Sequence, residues 1–195
     1  MNNETEKMTL ETLKACGALL EGHFELRSGL HINRFFQCAN IQKYPRQIAR
    51  LCQVLGEQVK HRLEQEKASV DSVIAPALGG IVVGHELARE LDVRSIFAEK
   101  VDGKLEMRRH IITKGERYIV AEDVITRGGR VQETIDIVNA AGGEVAAIAV
   151  LVDRSGGKAV FAHPLISLLQ IEPVVYEPAD CPLCKQHIPL VHPGS

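Results

Sequence analysis

Two adjacent carboxylates, Glu122 and Asp123, stand directly before a glycine-containing turn, Thr126 to Arg130. Carboxylate oxygens accept hydrogen bonds from vicinal hydroxyls such as those of ribose. Because Gly128 and Gly129 lack a Cβ, successive backbone N–H groups of the turn can point at one anion, and a helix that begins there adds its positive dipole end. The pattern predicts a sugar-phosphate site, although an ordinary strand-to-helix turn with solvated acids has the same local sequence.

The acids must be positioned by the apolar run that precedes them, Tyr118 to Ala121. A short β-rich run bounded by polar residues is typical of a central strand in a parallel sheet. Glu122 and Asp123 are then expected at the carboxyl end of that strand. Ligands of open α/β sheets bind at this edge, so the location agrees with a sugar-phosphate site.

A second glycine-bearing junction, Ala75 to Gly80, follows another apolar run. Gly79 and Gly80 allow its backbone to approach a second anion, although close packing of a helix on a strand needs such glycines too. If the two junctions lie on neighbouring strands, one edge of the sheet carries two phosphate-sized sites.

Short apolar runs and amphipathic segments alternate along the chain, which predicts an α/β fold with a mostly parallel central sheet flanked by helices. We expect a single domain in which residues 1–40 and 156–195 form a small hood beside a core of residues 41–155. The predicted helices span residues 9–16, 45–67, 80–91 and 129–141, and the predicted strands span residues 71–75, 94–98, 118–121 and 145–152.

The chain of 195 residues is 45% hydrophobic, which suits one domain that buries most of its apolar surface. Its formal net charge of −2 gives no electrostatic basis for nucleic acid or a membrane as the main partner. The longest apolar stretch, Val145 to Val152, is far shorter than the roughly 20 residues of a membrane span, and we expect a cytoplasmic protein. Cys16, Cys38 and Cys52 lie in periodic apolar contexts, as buried thiols of a reducing compartment do.

The segment between Glu99 and Arg117 is dense in charge. A solvated β-ribbon has the same composition. Because the segment follows a strand beside the two predicted anion sites, we favour a mobile cationic lid that screens a charged leaving group and excludes water. Its cations include Lys100, Lys104, Arg108, Arg109 and Lys114.

Near the end of the chain, Cys181 and Cys184 are followed by His187 and His192, a set that can hold tetrahedral zinc. In a zinc finger, however, about a dozen residues usually separate the two ligand pairs. Here all four residues lie between positions 181 and 192. We therefore expect no metal held directly by the protein at these positions.

Residues 118–130 resemble the motif with which type I phosphoribosyltransferases bind phosphoribosyl pyrophosphate (PRPP): hydrophobic residues, two acids and a Thr/Gly-rich phosphate loop. Arg127 and Arg130 depart from it, because the family usually carries small residues there. The resemblance implies catalytic roles for Lys100, Glu122 and Asp123. It assigns PRPP binding to Arg27, Leu78, Gly79, Gly80, Lys100, Lys104, Glu122, Asp123, Val124, Ile125, Thr126, Arg127, Gly128, Gly129 and Arg130.

Two further segments resemble the orotate-specific members of that family. One runs from Phe24 to Phe36 and contains a Ser-Gly step before paired aromatics, and the other, 152–156, carries an arginine after a strand. The resemblance implies orotate binding by Phe35, Phe36, Thr126 and Arg154. An aromatic face stacks on a planar base, and an arginine fork suits a carboxylate, although one phenylalanine of the pair is expected to pack in the hood.

The resemblance implies the type I phosphoribosyltransferase fold and transfer of ribose 5-phosphate from PRPP to orotate. The products would be orotidine 5′-monophosphate and pyrophosphate, in pyrimidine biosynthesis. It also implies Mg²⁺ carried by PRPP and a homodimer whose lid reaches the neighbouring site. A purine phosphoribosyltransferase and a non-catalytic PRPP-binding regulator of transcription are the alternatives.

Overall fold

The computed structural model describes residues 3–26, 28–172 and 174–192. Among the helices of these ranges, none combines the length and the hydropathy that a membrane crossing requires. The strands are β1 (Leu19–Glu25), β2 (His31–Phe36), β3 (Ser72–Pro76), β4 (Arg94–Val101), β5 (Lys104–Glu106), β6 (Arg117–Ile125), β7 (Glu144–Asp153), β8 (Leu165–Gln170), β9 (Val175–Tyr176) and β10 (Leu190–Val191). The helices are α1 (Asn3–Ala15), α2 (Pro45–Gln65), α3 (Gly79–Leu91), α4 (Gly129–Ala140) and α5 (Pro182–Lys185), with short 3-10 helices at Cys38–Lys43 and Pro178–Asp180.

The larger of two sheets has the strand order β5-β4-β3-β6-β7-β8. Its strands pair in parallel except β5, which is antiparallel to β4. The chain places β4 on one side of β3 and β6 on the other, so the strand order reverses between β3 and β6. This reversal creates the crevice in which such sheets bind ligands.

Helices cover both faces of the larger sheet, because alternate residues of its buried strands point to opposite sides. Val73 and Ile119 pack with α2 and α3 in one core, whereas Ile74 and Val120 pack with α4 in the other. Helix α2 contributes the apolar stripe that its sequence predicts: Ile48, Leu51, Cys52, Leu55, Val59 and Leu63 are all buried. The predicted α/β architecture is confirmed.

The smaller sheet forms the hood and has the order β10-β1-β2-β9. Strands β1 and β2 are antiparallel neighbours, and the two-residue strands β9 and β10 add segments of the C-terminal tail to their outer edges. Leu19 and Phe36 of the hood belong to the same buried cluster as α2 and α3. The hood is therefore packed onto the main sheet.

Several predicted boundaries differ in the structure: α1 begins at Asn3, and β4 ends at Val101. Two further differences affect the site and the hood. Strand β6 runs four residues beyond Ala121, to Ile125, because its pairing with β7 continues through Val124↔Val152 and Ile125↔Asp153. The prediction that all of 156–195 belongs to the hood is wrong, because β8 pairs with β7 at the edge of the main sheet. The sequence hides β8, since its flanks are irregular and it has only six residues.

Candidate active site

The ends of β3 and β6 frame a cavity of about 640 Å³ at the point where the strand order reverses. Its wall contains both acids, Glu122 and Asp123, together with Gly79 and most of the turn from Thr126 to Arg130. The two glycine-bearing junctions predicted to bind anions therefore meet at one cavity. Val124 and Ile125, the last residues of β6, complete this part of the wall.

The two acids lie in the second half of β6 and are each only 8% exposed. The backbone N–H of Asp123 donates to Glu122 Oε1 at 3.1 Å, and that of Val124 donates to Asp123 Oδ1 at 2.7 Å. Burial, followed by the neighbouring Asp123 carboxylate, raises the pKa of Glu122 above its usual range, and burial also raises the pKa of Asp123. The pair retains a proton more readily than free carboxylates, so it can both donate to and accept from sugar hydroxyls.

Helix α3 begins directly against these acids. A Cβ at Gly79 would lie 3.1 Å from Asp123 Oδ1, and a Cβ at Gly80 would lie 3.0 Å from Glu122 Oε1. Gln42 Nε2 donates to the carbonyl oxygen of Gly79 at 2.8 Å and holds the junction from the hood side. A side chain at either position would crowd the acids, so the two glycines allow the helix to pack closely and also form part of the cavity region.

The turn after β6 depends on Gly128, whose φ of +78° lies in the left-handed region. A Cβ there would lie 2.7 Å from Phe161 Cζ and 3.3 Å from Ala159 Cβ. Helix α4 starts at Gly129, and the N–H groups of its first turn have no partners within the helix. They lie beside the cavity wall, where they can bind an anion.

Arg127 and Arg130, which depart from the family motif, lie in different environments. Arg127 is exposed and does not line the cavity, whereas Arg130 does. Arg130 Nη1 donates to Glu133 Oε2 at 2.8 Å, and Glu133 Oε1 accepts the backbone N–H of Leu105 at 2.6 Å. Glu133 thus joins the phosphate loop to the β4–β5 ribbon. Sequence reasoning missed it, although its spacing of three residues from Arg130 on a helix is a usable signal.

A second cavity, of about 570 Å³, adjoins the first at Ala77. Leu78, Lys100 and Arg109 line it, and the peptide bond between Ala77 and Leu78 is cis. Leu78 is 82% exposed. Lys100 and Leu78, both predicted to bind PRPP, therefore line the same cavity.

The charged segment after Glu99 begins as an ordered ribbon. Strand β4 continues to Val101 and pairs with β5, which carries the exposed Lys104. Beyond it, Arg109 forms an ion pair with Glu99, and the ring of His110 lies edge-on to Phe97 at 4.8 Å between centroids. The first part of the segment is thus a β-ribbon, as its composition allows. The mobile lid stays a prediction.

Arg154 lies where β7 ends, beside the phosphate-loop strand: its backbone N–H donates to the carbonyl oxygen of Ile125 at 2.8 Å. Its guanidinium carbon lies 5.2 Å from the centre of the Phe36 ring, and its buried Nε has no hydrogen-bond partner in the described chain. Burial lowers the pKa of Arg154, because a desolvated cation is disfavoured. An anionic group with paired oxygens would satisfy both the charge and the unpaired donor.

The other residues predicted to bind the base divide between core and surface. Phe36 is buried in the core and supports Arg154, whereas Phe35 is half-buried and packs against Phe24 at 5.9 Å between ring centroids. Thr126 is exposed on the wall of the first cavity. Arg27 lies outside the described residues.

The acid pair makes stability depend on pH in a defined direction. Because burial and the neighbouring Asp123 raise the pKa of Glu122 in the folded chain, the stability that this group contributes is complete below its unfolded pKa and is lost as pH rises toward the folded pKa. Glu122→Gln removes this dependence. We expect the variant to have a higher Tm than the parent chain near pH 8 and a difference that shrinks near pH 5, measured by thermal denaturation.

Glu116→Gln is the matched control, because hydrogen bonds from Arg94 and Tyr118 lower the pKa of Glu116. The sign is reversed there: stability is present above the unfolded pKa and is lost as pH falls. Glu116→Gln should therefore lower Tm near pH 8. Equal Tm differences at both pH values for Glu122→Gln would contradict a raised pKa at that position.

Comparison with known proteins assigns the family. The sequence pattern of the phosphoribosyl transferase domain matches residues 46–185. The chain is 46% identical over 187 residues to orotate phosphoribosyltransferase of Caldicellulosiruptor bescii, covering 95% of both chains. It is 47% identical over 180 residues to that of Desulforamulus reducens, covering 92% of this chain and 91% of the relative.

Among solved structures, the fold resembles orotate phosphoribosyltransferase of Aeropyrum pernix, with a TM-score of 0.66 and 27% identity. The match covers 83% of this chain and 92% of that protein. The similarity in sequence extends over almost the whole chain. The cavity at the strand reversal and its two glycine junctions indicate the same family. The chain belongs to the orotate phosphoribosyltransferase family and has the type I phosphoribosyltransferase fold.

Proposed function

We propose that this chain is an orotate phosphoribosyltransferase, which converts orotate and PRPP to orotidine 5′-monophosphate and pyrophosphate. The observation that carries the proposal is Arg154, a half-buried cation with an unpaired Nε, stacked on Phe36 beside the phosphate-loop strand. Orotate bears a carboxylate that fits this group, and purine bases do not. Membership of the family supports the same substrate.

In this reaction the bond between the anomeric carbon of ribose and pyrophosphate breaks, and a bond from that carbon to a ring nitrogen of orotate forms. That nitrogen releases its proton to pyrophosphate or to water. Positive charge builds on the ribose as the leaving group takes negative charge. Glu122 and Asp123 bind the ribose hydroxyls and hold the ring in place. Their burial and raised pKa values suit hydrogen bonding to hydroxyls better than nucleophilic attack.

The two cavities divide the phosphates of PRPP between them. The N-terminus of α4 and the turn at Gly128 bind the 5-phosphate in the first cavity. Lys100 and Arg109 bind pyrophosphate in the second, where Leu78 and the start of α3 offer backbone groups. Arg130 reaches the wall of the first cavity and adds positive charge there.

We propose Mg²⁺ as the metal of the reaction, entering with PRPP. Magnesium prefers oxygen ligands and is usually bound through substrate phosphates with one or two carboxylates. The residues fit this mode, since Glu122 and Asp123 are carboxylates on the cavity wall and bind the hydroxyls of the same sugar. Bound Mg²⁺ would neutralise charge on the leaving pyrophosphate.

A homodimer and a cytoplasmic location are also proposed. The homodimer follows from the family resemblance, which implies a lid that reaches the neighbouring site. Light scattering after gel filtration should give twice the 21.4 kDa mass of one chain. The free, buried thiols of Cys16, Cys38 and Cys52 support a reducing compartment.

The proposed activity is tested by offering PRPP and Mg²⁺ with orotate, adenine, hypoxanthine or xanthine and identifying the nucleotide formed. We expect orotidine 5′-monophosphate alone. A purine nucleotide would favour a purine phosphoribosyltransferase. PRPP binding without any nucleotide product would favour the regulator.

A further inference from the structure

Four side chains that the proposed reaction does not use meet in the hood. They are His23 of β1, His31 of β2, Cys181 directly before α5, and Cys184 within α5. One nitrogen or sulfur atom from each lies within 4.8 Å of all the others. His23, His31 and Cys181 are between 1% and 5% exposed, and Cys184 is half-buried. Two imidazoles and two thiols are seldom gathered in a protein interior without a shared partner.

The distances within this cluster match a tetrahedral ion. His23 Nε2 lies 3.5 Å from Cys181 Sγ and 3.7 Å from Cys184 Sγ, and His31 Nδ1 lies 3.4 Å from Cys184 Sγ. Zinc bonds of about 2.3 Å to sulfur and about 2.0 Å to nitrogen separate such ligand atoms by about 3.5 Å. The two nitrogens are 2.8 Å apart, so a small outward shift of one ring completes the tetrahedron.

The orientation of His23 supports metal binding. Its Nδ1 lies 2.8 Å from the carbonyl oxygen of Ile188. Because a carbonyl only accepts, Nδ1 carries the hydrogen, which leaves Nε2 as the nitrogen that can bind a metal, and Nε2 faces His31 Nδ1 and both sulfurs. A backbone carbonyl that orients a histidine through its other nitrogen is the usual outer partner of a metal-bound imidazole.

We propose that His23 Nε2, His31 Nδ1, Cys181 Sγ and Cys184 Sγ bind one structural Zn²⁺ ion. A closed set of two nitrogens and two sulfurs is typical of structural zinc and leaves no open position for catalysis. The cysteines are those that the sequence singles out, but their partners lie about 160 positions earlier in the chain. In the described chain, His187 and His192 are not part of the cluster, and His192 instead pairs with Glu25.

The position of the site indicates what the ion does. Strands β9 and β10 have two residues each, too few to hold the C-terminal tail on the hood by strand pairing alone. Zinc would join that tail to both strands of the β1–β2 pair, whose second strand carries Phe35 and Phe36. The ion thus fixes the wall against which Arg154 is stacked, and it lies outside the two cavities assigned to PRPP.

The test uses the full-length chain produced with zinc in the medium and analysed by elemental mass spectrometry. We expect about one zinc ion per chain, and at least a tenfold loss of bound zinc in Cys181→Ser and Cys184→Ser. The controls His187→Gln, His192→Gln and Cys16→Ser should keep the metal. Retention of zinc by either tail-cysteine variant, or loss of zinc in His187→Gln or His192→Gln, would overturn the ligand set.

Cobalt substitution of the parent chain gives a result that does not depend on the folding of a variant. Replacing zinc by Co²⁺ should produce the intense visible bands of a tetrahedral ion together with sulfur-to-cobalt charge transfer. A chain that takes up neither zinc nor cobalt, or that holds Cys181 and Cys184 as a disulfide, would overturn the proposal. Both measurements are made without substrate, so they stand apart from the proposed transferase activity.

Discussion

Gly128→Val is expected to weaken PRPP binding by about 100-fold or more, because displacing a positioned group by about 1 Å commonly has an effect of that size. Valine is strongly disfavoured at a φ of +78°, and its Cβ would lie 2.7 Å from the ring of Phe161. The turn must therefore move, and the N–H groups that face the 5-phosphate move with it. Titration calorimetry with PRPP and Mg²⁺ measures the loss.

Gly115→Val is the matched control for this prediction. Gly115 has nearly the same positive φ, +80°, but a Cβ there meets nothing within 4 Å, and it lies before β6, away from the cavity. Both variants should lose some stability, and only Gly128→Val should lose PRPP affinity. Unchanged affinity in Gly128→Val, with circular dichroism showing the native fold, would refute the phosphate cradle.

Arg154→Ala is expected to lower kcat/KM for orotate by about 100-fold or more, because a charged hydrogen-bonding partner of a substrate carboxylate is lost. PRPP affinity should stay close to that of the parent chain, since Arg154 does not line either cavity assigned to PRPP. Arg154→Lys keeps the charge but not the planar fork, so we expect partial activity. Initial rates at varied orotate and saturating PRPP measure each effect.

Arg89→Ala is the control for removing an arginine that lies outside the site. Arg89 is exposed on α3 and pairs with Glu86 and Glu90. The variant should leave both kinetic constants nearly unchanged. Full orotate turnover by Arg154→Ala would show that the carboxylate is recognised elsewhere. Loss of PRPP affinity in that variant would instead indicate that Arg154 supports the phosphate loop.

Much of the sheet follows from local sequence. The runs at Tyr118–Ala121 and Val145–Val152 are apolar on both faces, which only a sheet covered on both sides satisfies. The glycines at 79, 80 and 128 also mark the two anion-binding junctions, because glycine shortly after an apolar run is typical of a tight strand-to-helix turn. These features depend on neighbours along the chain, and so the sequence reveals them.

Other parts depend on contacts between distant segments. Nothing near Cys181 indicates that its partners are His23 and His31, since strand pairing of the tail with the hood brings them together. The link from Glu133 to the backbone of Leu105 likewise forms only when α4 packs beside the β4–β5 ribbon. The lack of a hydrogen-bond partner for the buried Nε of Arg154 depends on the residues that surround it in the fold, so only the structure shows it.

The proposed transfer to orotate is tested most directly by the ultraviolet absorbance of orotate after addition of PRPP and Mg²⁺ to the purified chain. We expect a decrease that needs both additions, is matched by release of pyrophosphate, and is largely lost in Arg154→Ala. Constant absorbance with a folded chain that binds PRPP would contradict it.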